Sequence, residues 1–234
     1  FPATAHRRRP QHHGRPLHLA QNRTTSYSLS MELLVILVLL ALGLYTLNTR
    51  DQRVRIGLLG SYLGKYRIEK LLETLTQGYL RALGEADPDR QASIWGMLGA
   101  AELELREQFS AFVLEFARLD EAQTRVSKLA FAVPYAAQWL ASNTFDMRKA
   151  LSIHSHAIDQ AVCNSLHQEP KAKAFTLMAE LFLMQHSCHW FCRSKTVASA
   201  RLLARHRTAY AQVLASVAPQ TRKAYCALVG CTGA

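Results

Sequence analysis

Two histidines and two cysteines, His186, Cys188, His189 and Cys192, stand within seven consecutive residues. Imidazole nitrogen and thiolate sulfur are ordinary ligands of zinc, iron and copper. The first chemistry the stretch suggests is therefore a transition metal or a haem. On a helix, at about 100° per residue, Cys188 and Cys192 stand about 40° apart and His186 and His189 about 60° apart, while all four fan over roughly 160°. One straight helix cannot close them on a single ion. A pair could serve if completed by His154, His156 or Cys163 from a preceding helix packed antiparallel alongside.

The Cys188-x3-Cys192 spacing supplies half of a zinc motif, and Cys226-x4-Cys231, close to a terminus expected to fray, makes a poor second half. The order is not the Cys-x-x-Cys-His of c-type haem attachment. The weightier reading packs Cys188, Trp190, Phe191 and Cys192 into a core as small hydrophobes and aromatics, with the histidines along its edge. A third reading makes a cysteine and a histidine a catalytic pair, which needs a thiol of lowered pKa.

Other signatures of catalysis are missing. The chain has no nucleophile elbow, Walker loop, His-Glu-x-x-His or dinucleotide fingerprint. Glu102, Glu104, Glu107, Glu115, Asp120 and Glu121 lack the Glu-x-x-His partners of a di-metal bundle and read as a solvated helix face. No reaction is named. The chain reads first as an interaction or scaffold module at the inner membrane surface, second as a metal- or haem-binding sensor or redox protein using the His186–Cys192 cluster, and third as a membrane-bound enzyme with an unrecognised site.

The elements that must carry these residues are helices. Tyr62, Tyr66, Leu71, Leu72, Leu75, Tyr79 and Leu80 recur at helical spacing over 61–83, with Gly57, Gly60 and Gly64 as bends toward the preceding segment. Asp87-Pro88 is a helix start, and a stripe from Ile94 to Leu119 follows it. Pro134 and 142–144 mark a break with a short capping helix. Further helices are expected over 146–168, from Pro170, from Ser194 to Val217, and from Pro219. The Pro170 helix is apolar all round over 175–184, as a central bundle helix would be. Strand signal is almost absent. The expected fold is all-α: one N-terminal transmembrane helix followed by a soluble bundle of about five to seven helices.

The membrane expectation rests on residues 33–47, apolar almost without interruption. The uncharged run from Leu33 to Thr49 is 17 residues, or roughly 25 Å of helix, at the short end of what crosses a bilayer. A buried core helix or a cleaved signal sequence fits less well, since no polar face and no small-x-small site accompany it. The expected organisation is a leader over 1–30, an anchor over 31–49 and a helical domain over 50–234. Arg50, Arg53 and Arg55 follow the run closely. By the positive-inside rule they place the N-terminus outside and the domain in the cytoplasm, at a bacterial inner (plasma) membrane.

The leader holds five arginines and no acid, is rich in His and Pro, and is expected to be disordered. Met31 reads as the natural start, with 1–30 an over-extended frame or a cloning remnant. Five cysteines in 234 residues read as thiols in a reducing compartment. The formal charge is +11. After Glu180 seven basic residues face no acid. Anionic lipid headgroups are the partner those C-terminal helices suggest, alongside an unidentified protein. The footprint is too thin for nucleic acid.

Overall fold

The computed structural model describes residues 18–231, and the chain divides into two compact units between Thr46 and Leu47. The first helix, α1, runs His18–Leu63. It takes in residues 18–30, where the composition suggested no structure; residues 1–17 lie outside the described residues. Helix propagation is cooperative, so an apolar run that nucleates helix extends it into weaker flanking sequence. Within α1, Met31–Leu63 is long and apolar enough to cross a membrane, and an 18-residue stretch of it has a mean hydropathy of 2.1. In the first unit Leu33, Leu37, Leu40 and Leu44 are all exposed. The Thr46 hydroxyl donates to the Gly43 carbonyl at 2.8 Å, so this polar group is satisfied within the helix.

The second unit is the helical bundle. The 47–63 part of α1 buries Leu59 and sets Tyr62 edge-on to Phe116 at 5.7 Å. α1 passes through Gly57 and Gly60 without ending and stops at Gly64, whose N–H donates to the Gly60 carbonyl at 2.9 Å. α2 (Ile68–Gly84) buries Ile68, Leu71, Leu72, Leu75, Tyr79 and Ala82, one stripe at helical spacing. α3 (Pro88–Phe116) opens on Asp87, whose carboxylate accepts from the N–H groups of Asp89 and Arg90, with Pro88 in the first turn. α2 and α3 approach closely at Gly78, where an added Cβ would collide with Leu98 Cδ2.

A short α4 (Glu121–Thr124) leads into β1 (Arg125–Ser127). After an excursion holding α5 (Ala136–Trp139) and a 3-10 turn over Ala141–Asn143, β2 (Thr144–Asp146) pairs antiparallel to β1 with Val126 opposite Phe145. This ribbon, six residues in all, flanks the break expected over 130–145. Its three-residue strands are too short to show alternation. They are held from outside, by Trp190 Nε1 donating to the Ser127 carbonyl at 3.0 Å and by Phe145 packed edge-on against the Trp190 ring.

α6 (Met147–Val162), α7 (Pro170–Cys192), α8 (Lys195–His206), α9 (Tyr210–Ser216) and α10 (Pro219–Val229) complete the fold. α7 is the central helix, packed against α2, α6, α8 and α9. The segment expected as one helix from Ser194 to Val217 is two, because Arg207 turns left-handed at φ 54° and caps α8. The architecture is all-α in substance. Among the described residues, seven helices of seven or more residues follow α1.

Candidate functional site

α7 sends its side chains to two environments. His186, Ser187 and Trp190 point into the core, while Gln185, Cys188, His189 and Cys192 face a groove. That split separates the residues whose spacing suggested a metal.

On the core side, His154 of α6 lies with Nε2 2.9 Å from Ser187 Oγ. The same hydroxyl is 3.0 Å from the Leu183 carbonyl and 3.1 Å from the Tyr225 hydroxyl. One hydroxyl has a single proton to give and can accept two. It donates to Leu183 and accepts from the histidine and the tyrosine. His186 Nε2 sits 3.1 Å from Ser199 Oγ, and its ring stacks on Tyr210 at 4.3 Å. The Nδ1 atoms of both histidines have no partner among the described residues. Burial lowers both imidazoles to about 3, so each is neutral; the neighbouring His186 adds to the effect at His154, and Lys195 and His189 add to it at His186.

On the groove side, His189 Nδ1 accepts from Arg201 at 3.2 Å. Its pKa falls below the ordinary value through burial, then through Arg201, Arg205 and His206. The Cys188 thiol points at the Met184 sulfur at 3.8 Å, and burial raises its pKa strongly. Cys192 is raised to about 11 by burial, against the pull of Arg201, Arg55 and Arg193. Burial disfavours the thiolate at both positions, the form a catalytic Cys–His pair would use.

The expected completing ligands are elsewhere. His154 is committed to Ser187. His156 lines a separate polar hollow with Arg106 and Asp159. Cys163 is exposed at the end of α6, with Arg106 at 3.3 Å. Among the described residues no three His, Cys, Asp or Glu side chains come together as a metal site. The helical fan of the four α7 residues keeps them apart.

Two further expectations are corrected. Cys226 and Cys231 form a disulfide, so the cysteines are not all thiols. Gly230, at φ 76°, lets the chain fold back over the end of α10 and brings the two sulfurs together. Glu102 is not on a solvated face. It is 5% exposed, accepts from the Tyr79 hydroxyl at 2.6 Å and pairs with Lys173.

The groove itself has a volume of about 640 Å³, within the usual range of small-molecule sites. Ile56, Leu59 and Leu63 of α1, Ile68 and Leu72 of α2, and Met184 of α7 make its apolar walls. Lys70, Arg193, Arg201 and Arg205 bring four cations to it against the carboxylates of Glu69 and Glu73. An apolar trough with surplus positive charge suits a ligand with a hydrocarbon body and an anionic head. Sequence reasoning saw the acid-free basic stretch but not this trough. The available signal was Arg201 and Arg205, four residues apart and hence on one face of α8. No family model matches the chain, and neither a characterised protein nor a solved structure does.

Proposed function

We propose that this is a single-pass membrane protein whose helical domain is a non-catalytic binding module at the surface of a bacterial inner membrane. Its groove between α1, α2, α7 and α8 takes an anionic acyl-chain lipid. The observation that carries the reading is the groove's composition, apolar walls with four cations converging on it. One wall comes from the helix that is apolar enough to span a bilayer. Such a site would draw an anionic amphiphile from the adjacent leaflet, where negative lipids concentrate. The raised thiols and neutral core histidines favour binding over catalysis.

The test is titration of the full-length, detergent-solubilised protein with a fluorescent fatty acid. Saturable binding weakened at least tenfold in R201E/R205E supports the reading. Saturable binding unchanged in that variant, or no saturable binding, overturns it. The cytoplasmic orientation of the domain rests on Arg50, Arg53 and Arg55 after the apolar run, while the Cys226–Cys231 disulfide favours an oxidising compartment. Protease protection in spheroplasts decides between the two: a domain digested from outside rejects the cytoplasmic side.

A further inference from the structure

The excursion between β1 and β2 leaves large apolar side chains in solvent. Trp139 is 82% exposed and Phe131 73%, and Val133 and Leu140 are also exposed. Two bare aromatic rings within nine residues are more than the scattered exposure normal for a soluble surface. The excursion is nonetheless a held structure. Its neck is closed by the ribbon and by Lys128 N–H donating to the Asn143 carbonyl at 3.0 Å. Thr196 clamps it through backbone N–H and hydroxyl, both donating to the Ala130 carbonyl.

Its location gives the exposure a meaning. Leu129, Phe131 and Val133 share a hollow with Asn48, Asp51 and Arg55 of α1. The Arg55 guanidinium also donates to the Arg125 carbonyl, at the base of the excursion, at 3.1 Å. Residues 48–55 take in the end of the uncharged run at Thr49 and the first charged turns after it. Phe131 and Val133 are therefore carried beside the stretch where the chain would leave the hydrocarbon, and Trp139 belongs to the same excursion. From Lys128 to Phe145 the sequence holds no acid, so nothing there repels an anionic headgroup. Tryptophan, apolar in its ring and a donor at Nε1, favours this interfacial depth.

We infer that the 128–143 excursion is a second membrane contact, with Phe131, Val133 and Trp139 entering the headgroup–acyl boundary of the leaflet from which α1 emerges. The inference rests on α1 being inserted, as proposed above. Two attachment points would fix the rotation of the bundle on the membrane rather than leave it free to swing on one helix.

The test uses the full chain reconstituted into phosphatidylcholine–phosphatidylglycerol vesicles whose acyl chains carry bromine near the headgroup. Bromine quenches tryptophan only on close approach. Trp139 is exposed, so W139F leaves the core intact, and the difference between wild type and W139F isolates its signal from Trp95 and Trp190. Flotation of the same samples reports whether α1 is inserted. Quenching in the wild type that is largely lost in W139F supports the contact. Equal quenching of both proteins on floating vesicles overturns it while leaving the anchor standing, and a protein or second copy covering the excursion would give this same result. Failure to float overturns both.

Discussion

The phenolic oxygen of Tyr79 lies 2.6 Å from Oε1 of Glu102, joining α2 to α3 through a carboxylate that is buried. Lys173 of α7 holds the other carboxylate oxygen, so one acidic side chain ties three helices. Burial, then the adjacent Glu102 charge, raises the Tyr79 pKa far above its usual value, which keeps the phenol protonated as the donor.

Removing one partner of this cluster leaves charge without compensation. K173M is expected to lower the unfolding free energy by about 2–4 kcal/mol, the lower side of a buried-pair loss because Lys173 retains some exposure. Y79F, which deletes one hydrogen bond to a charged acceptor, is expected to cost about 1.5–3 kcal/mol. Urea denaturation of the two variants and their double mutant measures both the losses and their coupling.

Stability should depend on pH through three buried groups. His154 and His186 are held at about 3 in the fold against 6.5 when unfolded. Their contribution is full above 6.5 and is lost as pH falls toward 3, by up to about 1.4 kcal/mol per pH unit for each. Glu180 runs the other way. Burial raises it to about 7 from 4.5, against the pull of the Ala218 N–H and the Thr221 hydroxyl. Its contribution is full below 4.5 and lost as pH rises to 7. Below pH 6.5 two histidines outweigh one carboxyl, so the melting temperature should fall with acid. E180Q should raise stability at pH 8 by on the order of 3 kcal/mol. Melting curves from pH 4 to 8 show whether the slopes have these signs.

The three free thiols should differ in reactivity. Cys163 is exposed, while Cys188 and Cys192 are partly buried and their thiols are disfavoured as thiolates. Iodoacetamide at pH 8 should modify Cys163 first, Cys192 more slowly and Cys188 last. Cys226 and Cys231 should react only after reduction. Peptide mass spectrometry over a time course gives the order directly, and rapid labelling of Cys188 would contradict the burial assigned to it.

Gly78 sits where α2 meets Leu98 of α3. G78V should destabilise by about 1–3 kcal/mol through overpacking. Adding L98A to G78V should recover part of that loss, whereas L98A alone should cost about 2–5 kcal/mol. A thermodynamic cycle by urea unfolding shows the coupling, and strict additivity would mean the two side chains do not compete for the same space.

Amino-acid order alone determined the helical class, the apolar span, the Asp87-Pro88 start of α3 and the central place of α7. Each of these is written in local features: an unbroken apolar run, a cap residue before proline, a helix hydrophobic on every side. The destination of individual polar residues was decided only by tertiary packing. Glu102 reads as one more surface acid on α3 until Tyr79 and Lys173, far from it in sequence, meet it in the core. His186 and His189 read as a pair until α7 packs, one turning to Ser199 and the other to Arg201. The Cys226–Cys231 disulfide needed the left-handed turn at Gly230. The groove needed four helices, since the apolar walls from α1 and α2 and the guanidinium groups of Arg193, Arg201 and Arg205 come from segments more than a hundred residues apart. Periodicity shows which face of a helix is apolar. It carries no information on which other helix will face it, and that pairing makes a buried charge stable and a trough charged.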